Sequence, residues 1–344
     1  MAVLGAGMAL PGLPISTETL LDMAGLEGKQ RSLAIAVAKR LGVRTRHVGR
    51  SWRARADILR QGCSNADLAA DAMRAALRDA GFGAGDLGYL IAHTATPAQP
   101  LPSNAALVAD RLGYSGPHVE LRQACTGFAN ALMIAFGLLK EPDARPVAIV
   151  GSETGSVFLD VDALDDAQGQ LVNLVQMGDG AGAIILGPAA ARQEYIHAAW
   201  FGAMGLGRHP GLQMRHGGSD RPALLGAGPL VFEHDFAAIG RSGAALFEAG
   251  AAVAEANGAA LAHVDHIIPH QASGRIGLQL ASYFGLPDSR FFVNADRIGN
   301  TGSAAIWIAL AELRAQGHAR GSRTLVLGAE ATKYMHGGFV HVVP

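Results

Sequence analysis

At 344 residues the chain exceeds one ordinary core, and two halves of roughly 170 residues each fit the usual domain range. Apolar residues make up 49% and charged residues 17%, which argues against disorder and for a large buried core. A net charge of −1 excludes a globally basic surface of the kind that binds nucleic acid.

Met1 to Leu10 has no basic residue ahead of its apolar stretch, so it lacks the charged start of a secretory signal. Gly5-Ala6-Gly7 does not match the dinucleotide fingerprint. From Lys39 to Arg60 the chain is locally basic, with Lys39, Arg40, Arg44, Arg46, Arg50, Arg53, Arg55 and Arg60 against Asp57. Two readings stand for this segment: a solvated face, or a docking patch for a phosphate or an acidic carrier. Two cysteines, Cys63 and Cys125, make no disulfide framework, and the expected compartment is the cytoplasm.

Ser64 to Ala80 reads as a helix, capped by Ser64 with Asp67 in its first turn and closed by Gly81; Leu68, Ala72, Met73, Ala76 and Leu77 form its apolar stripe. Leu87 to Ala92 reads as a buried strand. Cys125 follows Val119-Glu120-Leu121 and precedes the helix-like Gly127–Leu139, which places it at a strand-to-helix turn. The longest apolar run, Phe128 to Leu139, has 12 residues, short of the roughly 18 a spanning helix needs, so no membrane helix is expected. Val147–Val150 and Leu325–Leu327 read as central strands buried on both faces. Gly178–Ala183 is glycine-rich but runs into the apolar Ile184-Ile185-Leu186, which favours a turn into a strand over a nucleotide loop. Helix then strand recurs at Ser242–Asn257 and Val264–Pro269.

The chain repeats at an offset of 177 residues, as from His93 to His270. Leu90–Ala95 maps onto Ile267–Ala272, and Gly151-Ser152-Glu153 onto Gly328-Ala329-Glu330. Cys125–Ala129 falls opposite Gly302–Ile306, so one copy has a thiol where the other has a small residue, and one active site is expected. The fold class is α/β, with two duplicated βα halves, 1–190 and 191–344, related by a pseudo-twofold axis.

A thiol at a helix start is placed where free N–H groups and the dipole favour the thiolate, which makes Cys125 a candidate nucleophile. Cys63 lacks that setting and reads as a small buried hydrophobe. His270 stands at the C-terminal end of its strand, where open α/β sheets gather functional groups. Asn300 opens the second-copy helix in Gly299-Asn300-Thr301-Gly302, either as a turn residue or, if the helix starts meet at the centre, as a neighbour of Cys125.

Arg40-Leu41-Gly42-Val43-Arg44, Pro102-Ser103, Ala124-Cys125-Thr126-Gly127-Phe128, Gly178–Ala183, Pro269-His270-Gln271-Ala272-Ser273-Gly274-Arg275-Ile276 and Gly299-Asn300-Thr301 occur in one order. Together they resemble the ketoacyl synthase III branch of the thiolase superfamily, from about Val3 to the C-terminus. The resemblance implies a five-layer α/β/α/β/α body and an acyltransferase with Cys125, His270 and Asn300 as its catalytic groups. Cys125 takes an acyl group from a thioester, and His270 and Asn300 then bind a malonyl-type extender that loses carbon dioxide and condenses to a β-ketoacyl product. Backbone N–H groups at Cys125 and Thr332 hold the oxyanion. Leu101 shapes the acyl pocket across a homodimer interface, and Arg40, Arg44, Ser273 and Arg275 belong to the pantetheine pocket or carrier docking. Acyl carrier protein and coenzyme A thioesters are the implied substrates, with no metal, resident cofactor, nucleic acid or membrane.

Several positions depart from the family pattern. Ala36 falls where a tryptophan stacks on the adenine of coenzyme A, and no arginine stands around Gln168–Val172 to hold the other side of that base. The glycine-rich C-terminal turn is replaced by Ala331-Thr332-Lys333, and Glu330 stands where the family has phenylalanine beside the nucleophile. Glu330 is a candidate acid or base that raises the proton affinity of a neighbouring thiol, or else a structural echo of Glu153. It opens an alternative activity, acyl transfer to an alcohol or amine, or condensation without decarboxylation; an inactive partner subunit is the third reading.

Overall fold

The computed structural model describes residues 1–51, 58–59, 62–159, 161, 164, 169–189, 192–222, 230–317 and 319–344. In the first half, the strands are β1 (Ala2–Ala9), β2 (Tyr89–His93), β3 (His118–Leu121), β4 (Val147–Glu153) and β5 (Gly180–Gly187). Its principal helices are α1 (Asn65–Ala80), α2 (Asn104–Leu112) and α3 (Gly127–Leu138). The second half contributes β6 (Tyr195–Ala203), β7 (His266–Pro269), β8 (Arg323–Glu330) and β9 (Met335–Val342), with α4 (Phe236–Ala256), α5 (Ile276–Phe284) and α6 (Ala305–Ala315).

Strands in the first half lie in the order β3-β2-β4-β5-β1, and those in the second in the order β7-β8-β9-β6. Phe291 bridges Ile267 in parallel, where β3 stands beside β2 in the first half. The same wiring is therefore used twice, as the offset of 177 implies. The two sheets join edge to edge where Ala2 of β1 opposes Tyr195 of β6.

Three clusters of buried side chains show the layering. Leu68, Met73 and Leu77 of α1 and Val108 of α2 cover one sheet through Leu90, Val150 and Ile185. Phe247 of α4 and Leu280 of α5 cover the other through Ile267, Leu325 and Val340. Between the sheets lie α3 and α6, whose Phe128, Leu132, Trp307 and Leu310 meet Ile149, Ile184, Val326 and Phe339. Phe128 packs edge-on to Trp307 with ring centroids 6.1 Å apart, and to Phe339 at 5.7 Å. The expected α/β/α/β/α order is the observed one.

Ser64 caps α1 by accepting from the Asp67 N–H, and Gly81 closes it at φ 73°. Gly5-Ala6-Gly7 has a packing role: a Cβ on Gly7 would lie 2.3 Å from the Ala76 nitrogen, so only glycine lets β1 approach α1. Gly178–Ala183 enters β5 as read, and Gly182 admits Trp307 of α6 in the same way. α4 begins at Phe236, six residues before the expected Ser242, because Asp235 caps it through the Ala238 N–H.

The basic segment is not one solvated face. Arg46 is buried and donates to the Thr17 hydroxyl at 3.0 Å and the Val175 carbonyl at 2.6 Å. Arg50 is buried and donates to the carbonyls of Ser156 and Leu159. Arg53, Arg55 and Arg60 lie outside the described residues, as does Gln168 at the start of Gln168–Val172. Among the described residues no helix is long and apolar enough to cross a membrane.

Burial lowers the pKa of His93 to about 3 and those of His234 and His270 to about 4. The unfolded chain protonates these rings near 6.5, so acid between 6.5 and 4 favours the unfolded state. Denaturant midpoints should fall across that window and stay level above it; a midpoint unchanged down to pH 4 would contradict the buried, uncharged state of these rings.

Candidate active site

Cys125 sits in the turn between β3 and α3, just ahead of the Thr126 cap. Its half-buried side chain lines a cavity of about 210 Å³ together with His270, Asn300, Glu330, His234 and Tyr334. His270 extends from the end of β7, and its N–H donates to the Leu327 carbonyl at 2.7 Å. Asn300 is tied to the strand-like segment at Met177: its N–H donates to the Gln176 carbonyl, and its carbonyl accepts from Gly178. Its side-chain Oδ1 accepts from the Gly302 N–H at 3.0 Å, which leaves the amide NH2 group to donate elsewhere. The two helix starts thus meet at the centre and bring together residues 175 apart in sequence, Cys125 and Asn300.

Two carboxylates flank the thiol. Glu330, at the end of β8, accepts from the Thr126 N–H at 2.8 Å and the Thr126 hydroxyl at 2.6 Å, and also from the Thr332 hydroxyl. Glu153, at the end of β4, accepts from the Ala95 N–H at 2.8 Å, the Thr96 hydroxyl at 2.5 Å and the Ser303 hydroxyl. Both are buried, and burial raises the pKa of Glu153 despite those donors. Each half's strand-end glutamate therefore grips the start of the other half's central helix.

Position at a helix start was expected to favour the Cys125 thiolate, but the structure reverses that. Desolvation first, and then the charges of Glu330 and Glu153, push the thiol well above its ordinary 9.0; only the Cys125 N–H acts the other way. His270 is buried with its Nδ1 unpartnered, and its low pKa keeps the imidazole neutral at neutral pH. His93, its repeat counterpart, is structural: its Nε2 accepts from the Trp307 indole N–H at 2.8 Å.

Gly302, opposite Cys125 in the second copy, has φ 50°, and a Cβ there would lie 2.6 Å from Cγ of Glu153. A cysteine does not fit that place, so the asymmetry of the repeat has a steric cause.

A second chamber of about 50 Å³ adjoins the first along Cys125, Leu212, His234 and Asn300 and is walled also by Glu153, Gly155, Met177 and Phe232. Thr332 lies in the turn between β8 and β9 and faces an adjoining cleft with Ala124, Glu330 and Lys333. Arg40, Arg44 and Arg275 are exposed and lie near one another, since Gly42 abuts Gly274 and the Arg275 guanidinium reaches the Lys39 carbonyl at 3.5 Å. Arg44 pairs with Asp296 at 2.5 Å. Ile276, next to Arg275, lines the cavity. Ser273 is buried and accepts from the Arg275 N–H. Leu101 is 85% exposed and stands apart from the catalytic cavity. Ala36 is exposed on the helix Gly28–Leu41.

Thr126, Ser303 and His234 were not singled out in the sequence. The first two are repeat mates at the offset of 177, flanking the Cys125/Gly302 mismatch, and that signal was available. His234 belongs to a short strand, Glu233–His234, with no repeat or motif around it.

Two family models match the chain: "3-Oxoacyl-[acyl-carrier-protein (ACP)] synthase III" over residues 119–205 and its C-terminal model over residues 254–340. A beta-ketoacyl-[acyl-carrier-protein] synthase III of Rhodospirillum centenum is 31% identical, over 98% of this chain and 95% of its own. The corresponding protein of Rhizorhabdus wittichii is 30% identical, over 98% and 96%. Among solved structures, the tetronic acid condensing enzyme AbyA1 superposes with a TM-score of 0.83 at 28% identity, covering 99% of both chains. The 3-oxoacyl-(acyl carrier protein) synthase III of Pseudomonas aeruginosa PAO1 gives 0.80 at 28% identity, covering 100% of this chain and 98% of its own.

The raised thiol has a direct readout. Alkylation of Cys125 by iodoacetamide, followed by intact mass with a Cys125→Ala control, should be slow at pH 7 and still rising above pH 9. A plateau reached below pH 8 would show that the thiolate is the resting form.

Proposed function

Because the chain belongs to the 3-oxoacyl-[acyl-carrier-protein] synthase III family, we propose that it condenses an acyl group with a malonyl-type thioester, using Cys125 as the acyl carrier. It is an acyltransferase that forms a carbon–carbon bond by decarboxylative condensation. The observation that carries the assignment of residues is that Cys125, His270 and Asn300 line one cavity.

In the first half-reaction the Cys125 sulfur attacks the donor thioester and the donor thiol leaves. The N–H groups of Cys125 and Thr332 are the proposed donors to the carbonyl oxygen, and the chamber beyond Cys125 takes the acyl chain. In the second, the extender's thioester carbonyl accepts from the neutral His270 ring and from the Asn300 NH2 group. Loss of carbon dioxide leaves an enolate whose charge these two donors stabilise, and its carbon attacks the acyl-Cys125 carbonyl. A neutral imidazole suits this task, since it donates without first taking up a proton.

Carrier-protein thioesters are the proposed substrates. Exposed Ala36 offers no aromatic face to an adenine, while the exposed Lys39, Arg40, Arg44 and Arg275 give a basic surface next to Ile276 of the cavity wall, suited to a phosphopantetheine phosphate and an acidic carrier. The exposed side chain of Leu101 is proposed to meet a second copy of the chain in a homodimer.

Incubation with acyl-carrier and acyl-coenzyme A thioesters should add an acyl mass to the wild type and none to Cys125→Ala. His270→Ala and Asn300→Ala should still load, yet release carbon dioxide from malonyl-carrier protein about 10²–10³-fold more slowly. An adduct that ignores malonyl-carrier protein and discharges onto alcohols or amines would overturn the condensation reading.

A further inference from the structure

The condensation scheme leaves Glu330 without a task, although it is 2% exposed and faces the reacting sulfur's cavity. Oε2 is held by both the N–H and the hydroxyl of Thr126, the residue directly after Cys125. These bonds fix the carboxylate against the nucleophile's own turn. Oε1 accepts from the Thr332 hydroxyl and keeps room for a second donor. Its repeat mate differs in setting: Glu153 takes two donors at Oε1 and the Thr96 hydroxyl at Oε2, and it borders the acyl chamber and not the larger cavity.

A thiolate at Cys125 beside an ionised Glu330 would place two negative charges in one buried site, which a low dielectric penalises. Passing the Sγ proton to the carboxylate as the sulfur attacks avoids that state. Among the described residues, the other titratable groups lining these spaces with Cys125 are His270 and Tyr334 in the cavity, Glu153 in the chamber, and His234 in both. His270 is committed to the extender.

We propose that Glu330 is the proton acceptor for Cys125 during acyl loading. As sulfur attacks the thioester carbonyl, the Sγ proton passes to Oε1; when the tetrahedral intermediate collapses, the same proton passes to the sulfur of the departing thiol. One C–S bond forms at Cys125, one C–S bond to the donor breaks, and Glu330 ends ionised as it began. The inference rests on the loading step proposed above.

The test compares two reactions of one sulfur, because iodoacetamide needs only the thiolate whereas a thioester also needs its leaving group protonated. Wild type and Glu330→Gln are each treated at pH 7 with iodoacetamide, and with acetyl, butyryl and octanoyl thioesters of coenzyme A and of carrier protein. The expected result for Glu330→Gln is opposite movement: faster alkylation, since a negative charge is gone, and acyl loading slowed about 10²-fold. Both rates falling together marks a structural role and overturns the proposal, as does loading that is unchanged or faster. If Glu330→Gln does not fold, Glu330→Ala with added formate replaces it: restored loading supports the proton-transfer role, and no restoration overturns it. Loading absent from the wild type with every thioester removes the loading step itself, a failure distinct from one confined to the variants.

Discussion

The structure turns on a reciprocal hold between its two halves. Glu153 ends a first-half strand and accepts from Ser303 at the start of the second-half central helix; Glu330 ends a second-half strand and accepts from Thr126 at the start of the first-half helix. Buried carboxylates persist only when several donors surround them, and each has three. The crossing bonds fix where α3 and α6 begin, and Cys125 and Asn300 belong to those beginnings. Phe128, Trp307 and Phe339 continue the same registration into the core, so the Cys125 turn is seated on a layer of interlocked aromatic rings.

The chemistry of the site follows from how little water reaches it. Desolvation keeps His270 uncharged and makes it a hydrogen-bond donor, while it also holds the proton on Cys125. The second effect opposes catalysis unless a base stands nearby, and the carboxylate that sharpens the difficulty is also the group placed to relieve it. An aromatic side chain at position 330 would leave the thiol easier to ionise and would offer the proton no acceptor there.

Much of this was legible in the sequence. The repeat at 177 residues showed itself because β2, β4, β7 and β8 are short apolar strands whose ends carry His or Glu, and such positions tolerate few alternatives. Ser64 and Gly81 marked α1 because caps are local. What stayed hidden was non-local. The carbonyls that receive Arg46 and Arg50 lie more than 100 residues away, so a count of charges mistook two buried anchors for surface. A carboxylate beside the thiol was legible at Glu330, but the bonds that hold it there were not, because Glu330 is 204 residues from the Thr126 amide from which it accepts. The early start of α4 was missed because Ala237-Ala238-Ile239-Gly240 carries no helical periodicity, and Asp235 supplies the signal instead.

Duplication ordinarily supplies two of everything, and here the second copy has been closed to chemistry by its own support. The carbon chain of Glu153 fills the space that a side chain at position 302 would need, and the left-handed backbone there disfavours any residue but glycine. With Cys125 as the proposed acyl carrier, acyl occupancy has a ceiling of one per chain however much thioester is supplied. The mass gained by a loaded sample then counts its competent molecules, a burst titration built into the steric arrangement of the second copy.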